Sequence, residues 1–191
     1  MPVNFDSPRL CRGSLATMSR LILDTWRLSL REMTWDDLDF LAMLLADERV
    51  MRHYPKCCTR DEAKAWLGRV IERYANHGHA FWLVSQRATG EPIGQVGLLL
   101  QHLDGVDEPE IGYMIHASHW RQGFALEAAS AVRDYAFGTL DKRRVISLIR
   151  PVNIPSQRVA LRVGMKPERL TRWHDADHLV FSMSRPAGGP P

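Results

Sequence analysis

Cysteine is scarce in this chain, and what there is excludes several classes of protein. The three residues, Cys11, Cys57 and Cys58, are odd in number and two are adjacent. That pattern makes neither a disulfide framework nor the spaced ligand set of a metal site, and reduced thiols are the reading. No apolar run approaches the roughly 18 residues that a membrane span requires. The first twenty residues hold three arginines but no continuous apolar stretch, so they do not read as a secretory signal. A long Lys/Arg run is also missing: the net charge of +3 is spread along the sequence, which gives no footprint for nucleic acid. A cytoplasmic protein without a membrane or nucleic-acid partner is expected.

Hydrophobic residues make up 45 % and charged residues 25 %, enough apolar material for one packed domain. Residues 1–20 lack a period and contain two prolines, and 185–191 read Arg-Pro-Ala-Gly-Gly-Pro-Pro. These are expected to be a flexible extension and a flexible tail around a domain spanning 21–184. Within the domain, Trp26 to Arg31 alternates as a first strand. Thr34 opens a helix with Asp36 and Asp37 in its first turn. Thr59 with Glu62 forms a capping box for a second helix, which runs to Gly78. Strand-like segments follow at Phe81–Ser85, Ile93–Gln101 and Glu110–His116, with a turn assigned to 102–109. A helix over about 123–137, a strand Val145–Ile149, a helix from Asn153 to Val163 and two strands near 165–171 and 178–183 complete the order. The expected fold is therefore α/β: a mixed, mostly antiparallel sheet of about seven strands covered by helices, with a parallel crossover between the fourth and fifth.

The most informative stretch is His119 to Ala129, His-Trp-Arg-Gln-Gly-Phe-Ala-Leu-Glu-Ala-Ala. It places a glycine and a small alanine at the start of a helix, where free backbone N–H groups and the helix dipole favour an anion, with Arg121 adding charge. The Walker spacing is absent, and the preceding antiparallel strand fits a Rossmann unit poorly. An ordinary glycine at a strand–helix turn is the alternative for this fragment taken alone. Asn153-Ile154-Pro155-Ser156 opens the later helix and Gly164-Met165 closes it; simple capping is its bland reading.

Taken together these elements resemble the GNAT acetyltransferase superfamily, in particular its RimJ/RimL-like branch typified by ribosomal-protein alanine acetyltransferases. The similarity covers nearly all of 23–184. Asp24 to Arg31 resembles the opening Thr-x-Arg-Leu-x-Leu-Arg strand, and Asp47 to Tyr54 the segment after the first helix. Glu110-Ile111-Gly112-Tyr113 resembles the fourth strand, and Arg121-Gln122-Gly123-Phe124-Ala125 with Glu127-Ala128 the pyrophosphate loop. Asn153-x-x-Ser156 with Gly164-Met165 resembles the later Asn-x-x-Ser…Gly-Phe element. The resemblance implies an acetyl-CoA site in a V-shaped opening between the fourth and fifth strands. Pantetheine would pair with Met114, Ile115 and His116, and the pyrophosphate would rest on Arg121, Gln122, Gly123, Phe124 and Ala125, with Asn153 and Ser156 nearby. The tyrosine that many members carry seven residues after the Asn is replaced by Ala160, which makes Ser156 the candidate proton donor to the leaving thiolate.

The acceptor would be a primary amine, either of a small molecule or of a protein N-terminus. Glu110 is the leading candidate for the base that takes its proton, and a solvated carboxylate or substrate anchor is the alternative. The Ile115 N–H would meet the developing oxyanion. Trp82 and Tyr113 are candidates for the acceptor pocket wall, though core packing is their ordinary role. His79, His116, His119, His174 and His178 are further proton acceptors, and no metal is expected. A monomer or a homodimer fits equally, and a non-catalytic acetyl-CoA-binding regulatory module is the alternative to an enzyme.

Overall fold

The computed structural model describes residues 19–186; the expected extension and tail lie almost wholly outside that range. Its one sheet contains strands β1 (Leu21–Asp24), β2 (Leu28–Glu32), β3 (Phe81–Gln86), β4 (Pro92–Leu103), β5 (Val106–Ile115), β6 (Arg144–Ile149), β7 (Lys166–Trp173) and β8 (Ala176–Ser184). Their order is β1-β2-β3-β4-β5-β6-β8-β7. Every neighbouring pair is antiparallel except β5 and β6. The eighth strand beyond the expected seven is β1, a four-residue edge strand too short to show alternation in the sequence. The fourth and fifth strands of the sequence reading are thus β5 and β6.

Among the described residues five α-helices flank the sheet: α1 (Leu38–Ala46), α2 (Glu48–Met51), α3 (Arg60–His77), α4 (Phe124–Gly138) and α5 (Ile154–Val163). The alternation of β3 distributes its residues between two cores. Trp82 and Val84 join Leu28, Leu30 and Ile111 beneath α4, whose small Ala128, Ala129 and Ala136 let the helix sit close to the strands. Phe81 and Leu83 join Leu99 and Met114 on the opposite face, against Leu41 and Leu45 of α1 and Leu67 and Val70 of α3. Strand β4, buried on both faces, reads as a nearly unbroken apolar run for that reason.

The expected caps form. Thr59 and Glu62 make reciprocal hydrogen bonds at the start of α3, and Gly78 ends it in the left-handed conformation. Before α1 the chain makes a 3-10 turn (Trp35–Asp37), in which Asp37 accepts from the Thr34 N–H at 2.8 Å. Arg31 clamps the same carboxylate with two bonds of 2.7 and 2.8 Å.

The turn expected over 102–109 is much shorter. Strands β4 and β5 pair as far as Leu103↔Val106, and only Asp104-Gly105 connects them, both at positive φ. Asp-Gly is the dipeptide that such a two-residue hairpin demands. In consequence Glu110 stands in the middle of a ten-residue strand, four residues inside it, and does not head it.

Candidate functional site

The parallel contact between β5 and β6 is confined to one registered pair, Glu110↔Ile146. Beyond it the strands separate, and polar side chains replace the missing ladder. The Glu110 carboxylate accepts from the Leu148 N–H at 3.2 Å, and the Ser147 hydroxyl donates to the Ile111 carbonyl at 2.7 Å. The sheet therefore opens toward the C-terminal ends of both strands, as the resemblance implies.

The backbone facing this opening follows from strand alternation. The His116 N–H donates to the Ile93 carbonyl of the β4 side at 2.8 Å, and Met114 two residues earlier turns the same way. Ile111, Tyr113 and Ile115 turn their backbone groups toward the opening, consistent with the Ser147 contact. Of the three residues expected to pair with pantetheine, Met114 and His116 are thus directed to β4. Ile115 faces the opening, but its carbonyl already accepts from the Trp120 indole N–H at 2.7 Å, leaving its N–H available. The backbone of Tyr113, which the sequence reading did not include, also faces the opening.

At the mouth of the opening lies the loop that leads into α4. Arg121 and Gly123 are both left-handed, with φ of 61° and 83°, separated by Gln122, which is not at positive φ. Alternation of this kind turns successive N–H groups inward to form an anion nest. Beyond the turn through Trp120 and Arg121, no backbone N–H from Arg121 to Ala125 makes a close hydrogen bond to a carbonyl among the described residues. A Cβ built on Gly123 would meet only the Arg27 guanidinium, at 3.4 Å. Most of the loop's donors are free of close partners, and the exposed Arg121 stands beside them, so the residues present fit a pyrophosphate.

This loop is fixed by a contact that joins two of the motifs. Glu127, in the first turn of α4, accepts from the Thr25 hydroxyl at 2.6 Å, from the Arg27 N–H at 2.9 Å and from Arg27 Nε at 2.6 Å. The same guanidinium donates to the Gln122 carbonyl at 3.0 Å and lies 4.4 Å from the Phe124 ring centre. The β1–β2 turn and the loop are thereby one unit. The sequence reading quoted both motifs but did not connect them; their joint presence, an arginine in one and a carboxylate in the other, was the available signal.

Deeper in, Glu110 is half-buried, and its second oxygen accepts from Gln101 Nε2 at 2.6 Å. Burial raises its pKa above the ordinary carboxylate value, only partly offset by these two hydrogen bonds and the positive charge of Arg73. Tyr54, from the segment after α2, feels the Glu110 charge and is pushed up to about 12, mainly by its own desolvation. Tyr113 bridges the opening: its hydroxyl donates to the Ser156 carbonyl at 2.7 Å and stands beside the Ala160 backbone. Burial holds the phenol protonated. Asn153 caps α5 by accepting from the Ser156 N–H at 3.3 Å. Gly112 is required by close approach, since a Cβ there would stand 2.8 Å from the Phe81 ring.

Trp82 takes no part in a pocket wall. It is fully buried under α4, packed edge-on against Tyr135 at 5.6 Å. His79 is buried and its ring Nδ1 lies 2.8 Å from the Leu98 carbonyl, a structural contact. His116 lies 3.5 Å from Asp47 and His119 3.5 Å from Glu91, His174 sits in the β7–β8 turn, and His178 lies within β8. No group of three or more metal-ligating side chains occurs among the described residues, and no helix there is long and apolar enough to cross a membrane.

Residues 27–166 match the family described as the acetyltransferase (GNAT) domain. The chain is 31 % identical to the N-acetyltransferase YoaA of Bacillus subtilis over 176 residues, covering 86 % of this chain and 97 % of that one. An acetyltransferase structure from Agrobacterium tumefaciens superposes with a TM-score of 0.76 at 26 % identity, over 97 % of this chain and 99 % of that chain. RimL, a ribosomal L7/L12 alpha-N-protein acetyltransferase solved with coenzyme A, shares the fold at a TM-score of 0.73 and 17 % identity, over 86 % of this chain and 98 % of that chain.

Proposed function

The chain belongs to the GNAT acetyltransferase family and is an acetyl-CoA-dependent N-acetyltransferase; we propose that it hands the acetyl group directly to a primary amine, of a small molecule or of a protein N-terminus. One observation carries this reading: the sheet splays past Glu110, with a loop of mostly unengaged amides at the mouth of the split and a raised-pKa carboxyl at its closed end. The opening-strand motif and the Asn153–Ser156 element favour the RimJ/RimL-like branch.

Bound acetyl-CoA supplies a thioester carbonyl that a neutral amine can attack without an acyl-enzyme. The Arg121–Ala125 amides and Arg121 hold the pyrophosphate. The Tyr113 and Ile115 backbones lie along the path from that loop toward Glu110. Glu110 takes the ammonium proton, directly or through a water, for which a pKa nearer neutrality than an ordinary carboxylate's suits it. The Ile115 N–H receives the negative charge that develops on the carbonyl oxygen. Ser156, on the first turn of α5, steadies the leaving sulfur. The Tyr113 hydroxyl holds α5 against β5, so that Ser156 keeps its place relative to the strand.

The test is release of free thiol from acetyl-CoA over a panel of amino acids, simple amines and N-terminal peptides. Release above the hydrolytic background with any of them is expected. A protein that is stabilised by acetyl-CoA but releases thiol with none is a binding module, not an enzyme.

A further inference from the structure

Arg150 follows directly on β6. Ile146 and Leu148 pack with Val180 on the sheet face opposite α4, whereas Val145 and Ile149 lie under α4. Alternation puts Arg150 on the former face, away from the pyrophosphate loop and toward α2 and its following turn. Its neighbours there are His53, in that turn, and His178, which is opposite it one step beyond the Ile149↔Leu179 pair.

Among the described residues the Arg150 guanidinium has neither an ion pair nor a side-chain acceptor, and its Nε is buried without a hydrogen-bond partner. The groups around it do not supply one. Arg52 donates to His53 Nε2 at 2.9 Å, which leaves His53 a donor at Nδ1 in its neutral form. His178 Nδ1 lies 3.0 Å from the Ala176 carbonyl. Asp177 adjoins His178, but as its strand neighbour it points to the other face. Glu110 is engaged by Gln101 and the Leu148 N–H. A half-buried guanidinium without a carboxylate partner is costly unless an anion reaches its exposed side.

We infer that Arg150, with His53, binds a carboxylate of the acceptor, so that the substrate is a small amine carrying its own acid group. This deepens the proposed transferase function and rests on it. The spacing agrees with a small molecule. Glu110 bonds the backbone at Leu148, and Arg150 is two residues further along, roughly 7 Å at a strand rise of about 3.3 Å per residue. One end of an amino acid meets the base while the other meets the guanidinium.

The experiment compares matched amines in the thiol-release assay: each amino acid against its carboxamide, and each straight-chain ω-amino acid against the alkylamine of equal length. The wild type should favour the carboxylated member at least 10-fold in kcat/KM. Arg150→Gln should bring that ratio near 1 with the affinity for acetyl-CoA unchanged, which also shows that the variant is folded. Arg150→Lys should restore part of the preference. Amides or alkylamines used as well as the acids, or a preference that survives Arg150→Gln, would overturn the assignment while leaving the transferase reading intact. If no amine releases thiol, the transferase reading fails, and the carboxylate site is judged separately. An amino acid must then raise the melting temperature of the wild type but not of Arg150→Gln, and equal shifts or none would refute it.

Discussion

Glu127→Ala tests the idea that the cofactor loop is held from outside by the β1–β2 turn. The substitution removes three hydrogen bonds at once, two of them to Arg27 and one to Thr25. It leaves the part-buried Arg27 N–H without an acceptor, and the Arg27 guanidinium without its anion. A charge-assisted bond contributes roughly 1.5–3 kcal/mol and a neutral one about 1. The ion pair is one-third exposed on the arginine side and 18 % on the carboxylate side, so solvent screens part of it. A net loss of about 2–3 kcal/mol is expected, a fall in Tm of roughly 4–12 °C for a domain of this size. Local loosening matters more for function. With the Gln122 carbonyl no longer held by a fixed guanidinium, the nest must be ordered by the ligand, and the Kd for acetyl-CoA should rise by about 10-fold, equivalent to 1.4 kcal/mol. Calorimetry on Glu127→Ala and Glu127→Gln checks it. The glutamine keeps the oxygen that serves Thr25 and the Arg27 N–H and should fall between the other two. An acetyl-CoA affinity within twofold of wild type in Glu127→Ala, whatever its Tm, would show that the loop keeps its shape unaided.

Three further outcomes are expected. In Gly123→Val a β-branched side chain sits at φ 83° and against the Arg27 guanidinium that holds the loop, so the thermal shift given by millimolar acetyl-CoA should vanish; Gly123→Ala shares the backbone strain without the branch and should keep a reduced shift. Ser156→Ala retains the carbonyl to which Tyr113 donates, so kcat should fall while acetyl-CoA affinity stays, and an unchanged kcat would mean the sulfur leaves unassisted. Glu110→Gln can preserve both hydrogen bonds if the Gln101 amide turns over, so the fold should survive while kcat drops by about 10²-fold. In the wild type the rate should rise with pH through a pKa above the ordinary carboxylate value, and this limb should be lost in the variant. The stability effect has the opposite sense: a pKa raised by folding makes the charged form unfavourable, so stability is gained as pH falls through it. Glu110→Gln should therefore melt no lower than wild type at pH 8, and a variant that keeps kcat but raises the KM of the amine would make Glu110 an anchor.

Helices were legible in the sequence because their ends are chemically marked. Thr59 with Glu62, Gly78, and Asn153 with Gly164 each sit where the structure uses them. Strand edges were less so. The 102–109 segment is mostly polar, which looked like a loop, yet Leu103 within it is buried against Ile146 and Val180, and the polarity of the rest carries no information about pairing. Only Asp104-Gly105 did, and reading it as the whole turn would have put Glu110 mid-strand from the start. Which backbone groups face the opening was not legible, because it depends on hydrogen-bond parity, and a shift of one residue exchanges the two sets. Composition could not separate Met114 and His116 from Tyr113 and Ile115.

The site's charges show a more general limit. An arginine is visible in a sequence, but its lack of a partner is not. Arg27 and Arg31 lie in the same strand motif, and both are satisfied, by Glu127 and Asp37. Nothing in the sequence distinguishes them from Arg150, where the described residues supply no anion. The distinction arises only when the chain is folded and its carboxylates have been assigned. Glu127 is taken by the loop tether, Asp37 by the helix start, Asp47 by Arg49 and Glu108 by Arg144. Glu110 is held by neutral donors at the closed end of the split. What remains on this face is a guanidinium without an acid and, bonded to the backbone two residues before it at Leu148, a carboxylate. On the proposal above, each would select one end of a zwitterion, and together they would restrict the acceptor more than either does alone.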